Sequence, residues 1–271
     1  MKRLLPLLMA ATVLAAAPAS AQDASLEQTL NAGLLAFNKG DLQGYVQDLM
    51  PRMSYNEIAL ERTRVLAIDR ALQETFPQLS LNYRRMRVNP VSQDEATASI
   101  ETEYKGSTPN YNGSGMPAVY REEGQATALY QRVDGKWLTG QMQVAWDDSY
   151  VDVGQTFGII GFSVLPTLAE PGQPYSLRLY AGTDDNPGTA VSYAYAIVPL
   201  SMLMAPEGAS RLYDHMQFRL LPVTGIDASF KAPKHPGSYV HVLVMNKFEH
   251  LGGSETLLGQ KVYSRLMRVD E

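Results

Sequence analysis

The apolar period of this chain changes at Pro77, and that change limits the folds open to it. Upstream, Leu26, Leu30, Leu34 and Phe37 recur at helical spacing behind Ser25 and Gln28, which form a capping box, and Lys39-Gly40 ends the helix. Asp41 starts a second helix carrying Leu42, Tyr45, Val46 and Leu49, which Pro51 stops. A third is predicted over 60–76, with Val65, Ile68, Leu72 and Phe76 on one side, and Pro77 closes it. Downstream the period is two: in ATASIETEY, Ala96, Ala98, Ile100, Thr102 and Tyr104 face one way, Thr97, Ser99, Glu101 and Glu103 the other. Three helices followed by strands with one apolar face give an α+β arrangement of helices on an antiparallel sheet.

Further strands are predicted at 80–89, 125–133 and 136–146. The last two flank Asp134-Gly135, a dipeptide suited to the two positive φ angles of a type I′ hairpin turn. GSTPNYNGSGMP, ahead of them, is rich in turn residues and is expected to be a long loop or an irregular strand end.

The chain opens with Lys2 and Arg3, an apolar stretch from Leu4 to Ala17, and Ala19-Ser20-Ala21. This pattern predicts a signal peptide over 1–21, cleaved near Ala21, and hence a periplasmic or secreted protein. The apolar stretch is shorter than the roughly 20 residues a bilayer span needs, and no later segment supplies one, so no membrane span is expected. With no cysteine, neither disulfides nor thiol chemistry nor a lipid-modified cysteine is available. The formal charge of −5, with no basic run, argues against nucleic acid as a partner. No cofactor motif is present: the sequence has no phosphate loop, nucleophile elbow, HExxH or calcium loop.

FNKGDLQGYVQDL, ALQETFPQLSLNYRRMRV, VDGKWLTGQ and the closing Asp148 with Gln155-Thr156-Phe157-Gly158 occur in an order that resembles the nuclear transport factor 2-like superfamily, and within it the SnoaL-like polyketide cyclases. The resemblance covers about Leu26 to Gln155. It implies a cone-shaped domain over 22–148, in which the sheet wraps around the helices and leaves a pocket at the open end. In catalytic relatives it also implies an acidic residue near the end of the last strand, often with a histidine; the matching positions here are Asp147 and Asp148. All four histidines, His215, His235, His241 and His250, lie beyond this region, so the histidine partner has no counterpart.

Tyr55, Tyr83, Tyr104 and Tyr130 are suited to lining such a pocket, since a phenol offers an apolar face with one hydrogen-bonding tip. Gln141 and Gln143 share one face of the last strand, opposite Met142 and Val144, and are expected to point into the cone. Trp137 and Trp146 read as packing residues. Two functions are open: a non-catalytic protein that binds a small apolar ligand or an envelope protein, and an isomerase, cyclase or hydratase with Asp147 or Asp148 as base. A homodimer through the cone's sheet is compatible with either.

After a linker at 149–160, residues 161–271 read as all-β, with no helix longer than a turn or two. FSVLPTLAEPGQPYSLRLYAG, VSYAYAIVPL, HMQFRLLPV, SYVHVLVMN and QKVYSRLMRV are strand-like and closely spaced, which suggests a β-sandwich. FKAPKHPGSYVHVLVMN resembles the strand pair near the end of extracellular immunoglobulin-like modules. No histidine pair has metal-ligand spacing, so no metal site is expected. Met202, Met204 and Met216 cluster in one segment, and flexible methionines suit either an adaptable surface or a core.

Overall fold

The computed structural model describes residues 19–155, 159–181, 189–220, 226–251 and 253–270; residues 1–18, most of the predicted signal peptide, lie outside them. The first half opens with α1 (Ala19–Asn38), which buries Leu26, Leu30 and Phe37. A short α2 (Leu42–Val46) follows, capped by the Asp41 carboxylate, which accepts from Gly44 N–H at 2.9 Å.

The second helix is shorter than expected, because the chain leaves it before Pro51 and pairs as β1 (Leu49–Tyr55) with β2 (Ile58–Glu61). Pro51 sits where the pairing of β1 with the main sheet shifts register between Leu49 and Ser54, so its missing N–H leaves no ladder bond unmade. Asn56 and Glu57 turn the hairpin at φ 45° and 69°. α3 (Arg62–Thr75) stops before Pro77, with Phe76 N–H bonded to Leu72 C=O at 2.9 Å.

Four long antiparallel strands then form a meander: β3 (Ser80–Ser92), β4 (Glu95–Thr108), β5 (Ala118–Val133) and β6 (Lys136–Gly154). The β5–β6 turn is the predicted one, with Asp134 at φ 51° and Gly135 at φ 77°. This sheet curls around the three helices, giving the mixed α+β class the period change implies.

The expected linker is corrected by β6. Residues 149–154 are strand, bonded to β5 on one side and on the other to the last strand of the chain, so a single sheet runs from one half into the other. Asp152 faces Lys261 across this seam at 3.2 Å, and both are nearly buried.

The second half comprises β7 (Ile159–Leu165), β8 (Leu168–Ala169), β9 (Pro174–Ala181), β10 (Thr189–Pro199), α4 (Leu200–Met204), α5 (Gly208–Leu212), β11 (Gln217–Leu220), β12 (Ile226–Lys231), β13 (Gly237–Leu251) and β14 (Ser254–Val269). β12, which sequence patterning did not single out, completes a three-stranded sheet, β12-β9-β7, facing the β11-β10-β13-β14 part of the long sheet. Val164, Tyr175 and Leu177 from the first sheet meet Tyr195, Leu243, Met245 and Met267 from the second in one core. Within it His241 is 0 % exposed, and its Nδ1 and the Tyr195 hydroxyl are 2.7 Å apart.

Candidate functional site

Small residues open a hollow in the first half. Alternation along β5 points Tyr120, Glu122, Gly124, Ala126, Ala128 and Tyr130 inward, and the stretch from Gly124 to Ala128 puts no side chain larger than a methyl group there. Opposite them stand Ile100, Thr102 and Tyr104 of β4 and Met142 and Val144 of β6, while α3 supplies Val65, Ile68, Asp69 and Leu72 across the gap. The result is a cavity of about 240 Å³, mostly apolar. That is far more than one water molecule occupies, about 30 Å³ in the liquid.

The four tyrosines singled out in the sequence, Tyr55, Tyr83, Tyr104 and Tyr130, all line this cavity, joined by Tyr45 and Tyr120. Gln141 and Gln143 do not: both are exposed, and their expected inward orientation is corrected. The apolar neighbours Met142 and Val144 take the inward face instead, because an apolar hollow is the lower-energy place for them and water for the amides. Asp147 and Asp148 lie in β6 where the β5 pairing shifts register, and their side chains are outside the described ones. Trp137 packs in the core with its indole N–H donating to Ser25 Oγ at 2.8 Å, while the side chain of Trp146 is outside the described ones.

Three carboxylates that sequence reading missed reach the cavity: Asp48, Asp69 and Glu122. Burial pushes the Asp48 carboxyl up to about 6, against the attraction of Lys136. Burial, reinforced by the charge on Glu122, pushes Asp69 up to about 7, and its Oδ2 is shut from solvent without a hydrogen-bond partner among the described residues. Glu122 is also raised by burial, although the Tyr120 hydroxyl donates to its Oε2 at 2.8 Å and Ser149 Oγ lies 3.4 Å away.

Burial raises the phenols of both Tyr45 and Tyr104, with the Asp69 charge adding to the effect. Asp69, two buried phenols and a second carboxyl thus share one largely apolar space. Two of the missed acids had a signal. Asp69 stands at i+4 from Val65 and i−3 from Leu72, on the apolar stripe of α3, and Glu122 has the same strand parity as Ala126 and Tyr130 once β5 is begun at Ala118 rather than 125.

Away from the cavity, His235 lies in a turn where its carbonyl accepts from the Tyr239 hydroxyl at 2.9 Å. His250 pairs with Glu255 at 3.4 Å. No group of three or more His, Asp or Glu among the described residues is placed to hold a metal ion.

No family model and no curated protein matches this sequence. Solved structures do match about half of the chain. A type 2 hexachlorocyclohexane dehydrochlorinase (LinA) is 14% identical with a TM-score of 0.38, over 47% of this chain and 86% of that one. The type 3 enzyme of Novosphingobium barchaimii LL02 is 12% identical with a TM-score of 0.38, over 48% of this chain and 89% of that one. An NTF-2 like protein of unknown function from Shewanella oneidensis MR-1 is 17% identical with a TM-score of 0.33, over 45% of this chain and 96% of that one. At such identities and TM-scores no residue role passes to this chain, and the chemistry rests on the cavity itself.

Proposed function

We propose that this is an exported two-domain protein whose first domain holds a small, largely apolar ligand carrying one hydrogen-bonding oxygen. The supporting observation is the hollow itself: apolar walls around a few polar groups gathered near Asp69, a composition suited to a neutral ligand anchored at one end. Asp69, protonated near neutrality, is a donor to a ligand carbonyl, and the Tyr45–Tyr104 pair is a second polar contact.

Export rests on the N-terminal pattern of Lys2, Arg3 and the apolar run. We read the second domain as an immunoglobulin-like sandwich that contacts an envelope protein. Its strand order, first, second and fifth in one sheet and third, fourth, sixth and seventh in the other, supports that reading, with β8 left aside as a two-residue bridge. So does Tyr239, near the start of the sixth strand, whose hydroxyl bonds back to the backbone four residues upstream. Self-association through the outer sheet face would cover the Arg84, Glu103, Arg121 and Glu123 cluster, so a homodimer there would be salt-sensitive.

Native mass spectrometry of the protein purified from its own cells tests the ligand reading and the oligomeric state together. The expected result is a co-purifying small molecule that is lost when Ala128→Trp fills the hollow. An empty wild-type protein, or a ligand retained by the filled variant, overturns it.

A second reading is favoured by the unpaired Asp69 Oδ2. A carboxyl that titrates near neutrality beside buried phenols can move a proton on a bound carbonyl compound, as an isomerase, cyclase or hydratase must. In that case Asp69→Asn keeps the ligand and accumulates it unconverted.

A further inference from the structure

Met204 belongs to the second half of the chain, yet it lines the cavity of the first. It ends α4, and the two backbone carbonyls at that end, Met204 C=O and Ala205 C=O, accept from Arg64 Nε and Nη2 of α3, each at 2.7 Å. These are carbonyls that a helix C-terminus leaves without an internal partner, and a guanidinium fork matches two adjacent oxygens. On its other side α4 packs through Leu200 and Leu203 onto Val240 and Val242 of β13, and Tyr55 and Ile58 of the β1–β2 hairpin join the same cluster. The second half therefore grips the helix and the hairpin that frame the cavity.

We propose that α4 is the closing wall of the ligand site, latched by Arg64, and that Met204 sets how long a ligand the site accepts. This rests on the cavity being a ligand site, but it adds a claim about access. With both bonds made, the hollow is shut on this side by a thioether side chain. With them broken, these two hydrogen bonds from α3 are lost and the five-residue helix keeps its apolar packing on β13. Methionine is suited to this position because its unbranched, flexible side chain can follow the end of a ligand. Fusion of the two halves then has a physical purpose: the second domain completes the first domain's pocket.

The absence of cysteine allows a test that needs no ligand. Ala128, which lines the cavity and is 4 % exposed, is replaced by cysteine in the full mature chain, and the rate of modification by N-ethylmaleimide is measured with and without Arg64→Gln. A second reporter, Ala194→Cys, sits at a 1 % exposed position of β10 that does not line the cavity, and it reacts only through wider unfolding.

The expected result is at least a tenfold acceleration at position 128 with Arg64→Gln and an unchanged rate at position 194. An unchanged rate at 128, or equal acceleration at both positions, overturns the latch. For the size role, Met204→Ala is expected to raise the rate of the bulkier N-phenylmaleimide at position 128 relative to that of N-ethylmaleimide; an unaltered ratio overturns it. An empty wild-type protein in the mass experiment would instead count against the ligand reading while leaving these rates to decide the latch.

Discussion

Replacing Asp69 with asparagine isolates one ionisation in the centre of the cavity. In the folded protein the carboxyl is raised from 3.8 to about 7, because burial, and then the charge on Glu122, disfavours the carboxylate. The sign follows from an acid whose folded value lies above its unfolded one. Below about pH 4 both states are protonated and the group costs nothing. Between pH 4 and 7 the unfolded chain ionises freely while the folded chain does not, so the penalty grows; above pH 7 it is constant. At about 1.4 kcal/mol per tenfold change in the ionisation constant, the full penalty is on the order of 4 kcal/mol, of which about 3 kcal/mol accumulates between pH 4.5 and 8. Asparagine has nearly the same shape and no charge. Its stability relative to wild type should therefore rise by about 3 kcal/mol over that interval, whatever constant packing cost the amide adds. Urea unfolding of both proteins at a series of pH values, read as the difference between them, measures this. A difference that does not change with pH would refute the reasoning, since it would mean that Asp69 is solvated and titrates alike in the folded and unfolded chain. A fall with rising pH would mean that the carboxylate is held as a charged group by its neighbours.

Three further outcomes are expected. His241, buried and lowered to about 4 by desolvation, stays neutral in the fold, so its contribution is intact above pH 6.5 and lost as the pH falls from there through about 4; His241→Gln should remove roughly 3 kcal/mol of that acid sensitivity, measured by the same titration of unfolding. Gly154 has φ +69°, and a Cβ there would meet Leu258 C=O at 2.5 Å, so Gly154→Ala should lose about 2 kcal/mol or more at the seam between the halves, read by chemical denaturation. Ser25→Ala leaves the buried Trp137 indole N–H without its 2.8 Å acceptor and should lose about 1–3 kcal/mol with a shifted tryptophan emission; an unchanged spectrum and stability would show that another group accepts.

What the sequence could reveal depended on whether a structure is encoded by neighbours along the chain. α1 and α3 were legible because Leu26, Leu30 and Phe37, or Val65, Ile68 and Leu72, are one or two turns apart, and the β5–β6 turn because Asp134-Gly135 carries its own backbone preference. β1 was not, since its pairing with β6 joins Ser54 to Gln141, and Asn56 completes that ladder with bonds to Val144 N–H at 2.7 Å and Val144 C=O at 3.0 Å. The extension of β6 through residues 149–154 was hidden for the same reason, as its second partner is β14, more than a hundred residues on.

The site shows a different limit. Four of the cavity's six tyrosines were found because their chemistry marks them, but the glutamines were placed inside on the same argument and lie outside. Polarity indicates which residues could serve a ligand; only parity says which face they share. Alanine and glycine at 124, 126 and 128 carry no chemical mark at all, yet they make the room, and the residues at the same parity, Glu122 and Tyr130, are the ones that reach it. A hollow is therefore best sought in sequence as a run of small residues on the buried face of a strand, and its chemistry in whatever polar residue shares that face. By that rule REEGQATALY points to Glu122. Val65, Ile68 and Leu72 point in the same way to Asp69, the one carboxyl on the cavity-lining stripe of α3, whose Oδ2 has no hydrogen-bond partner among the described residues.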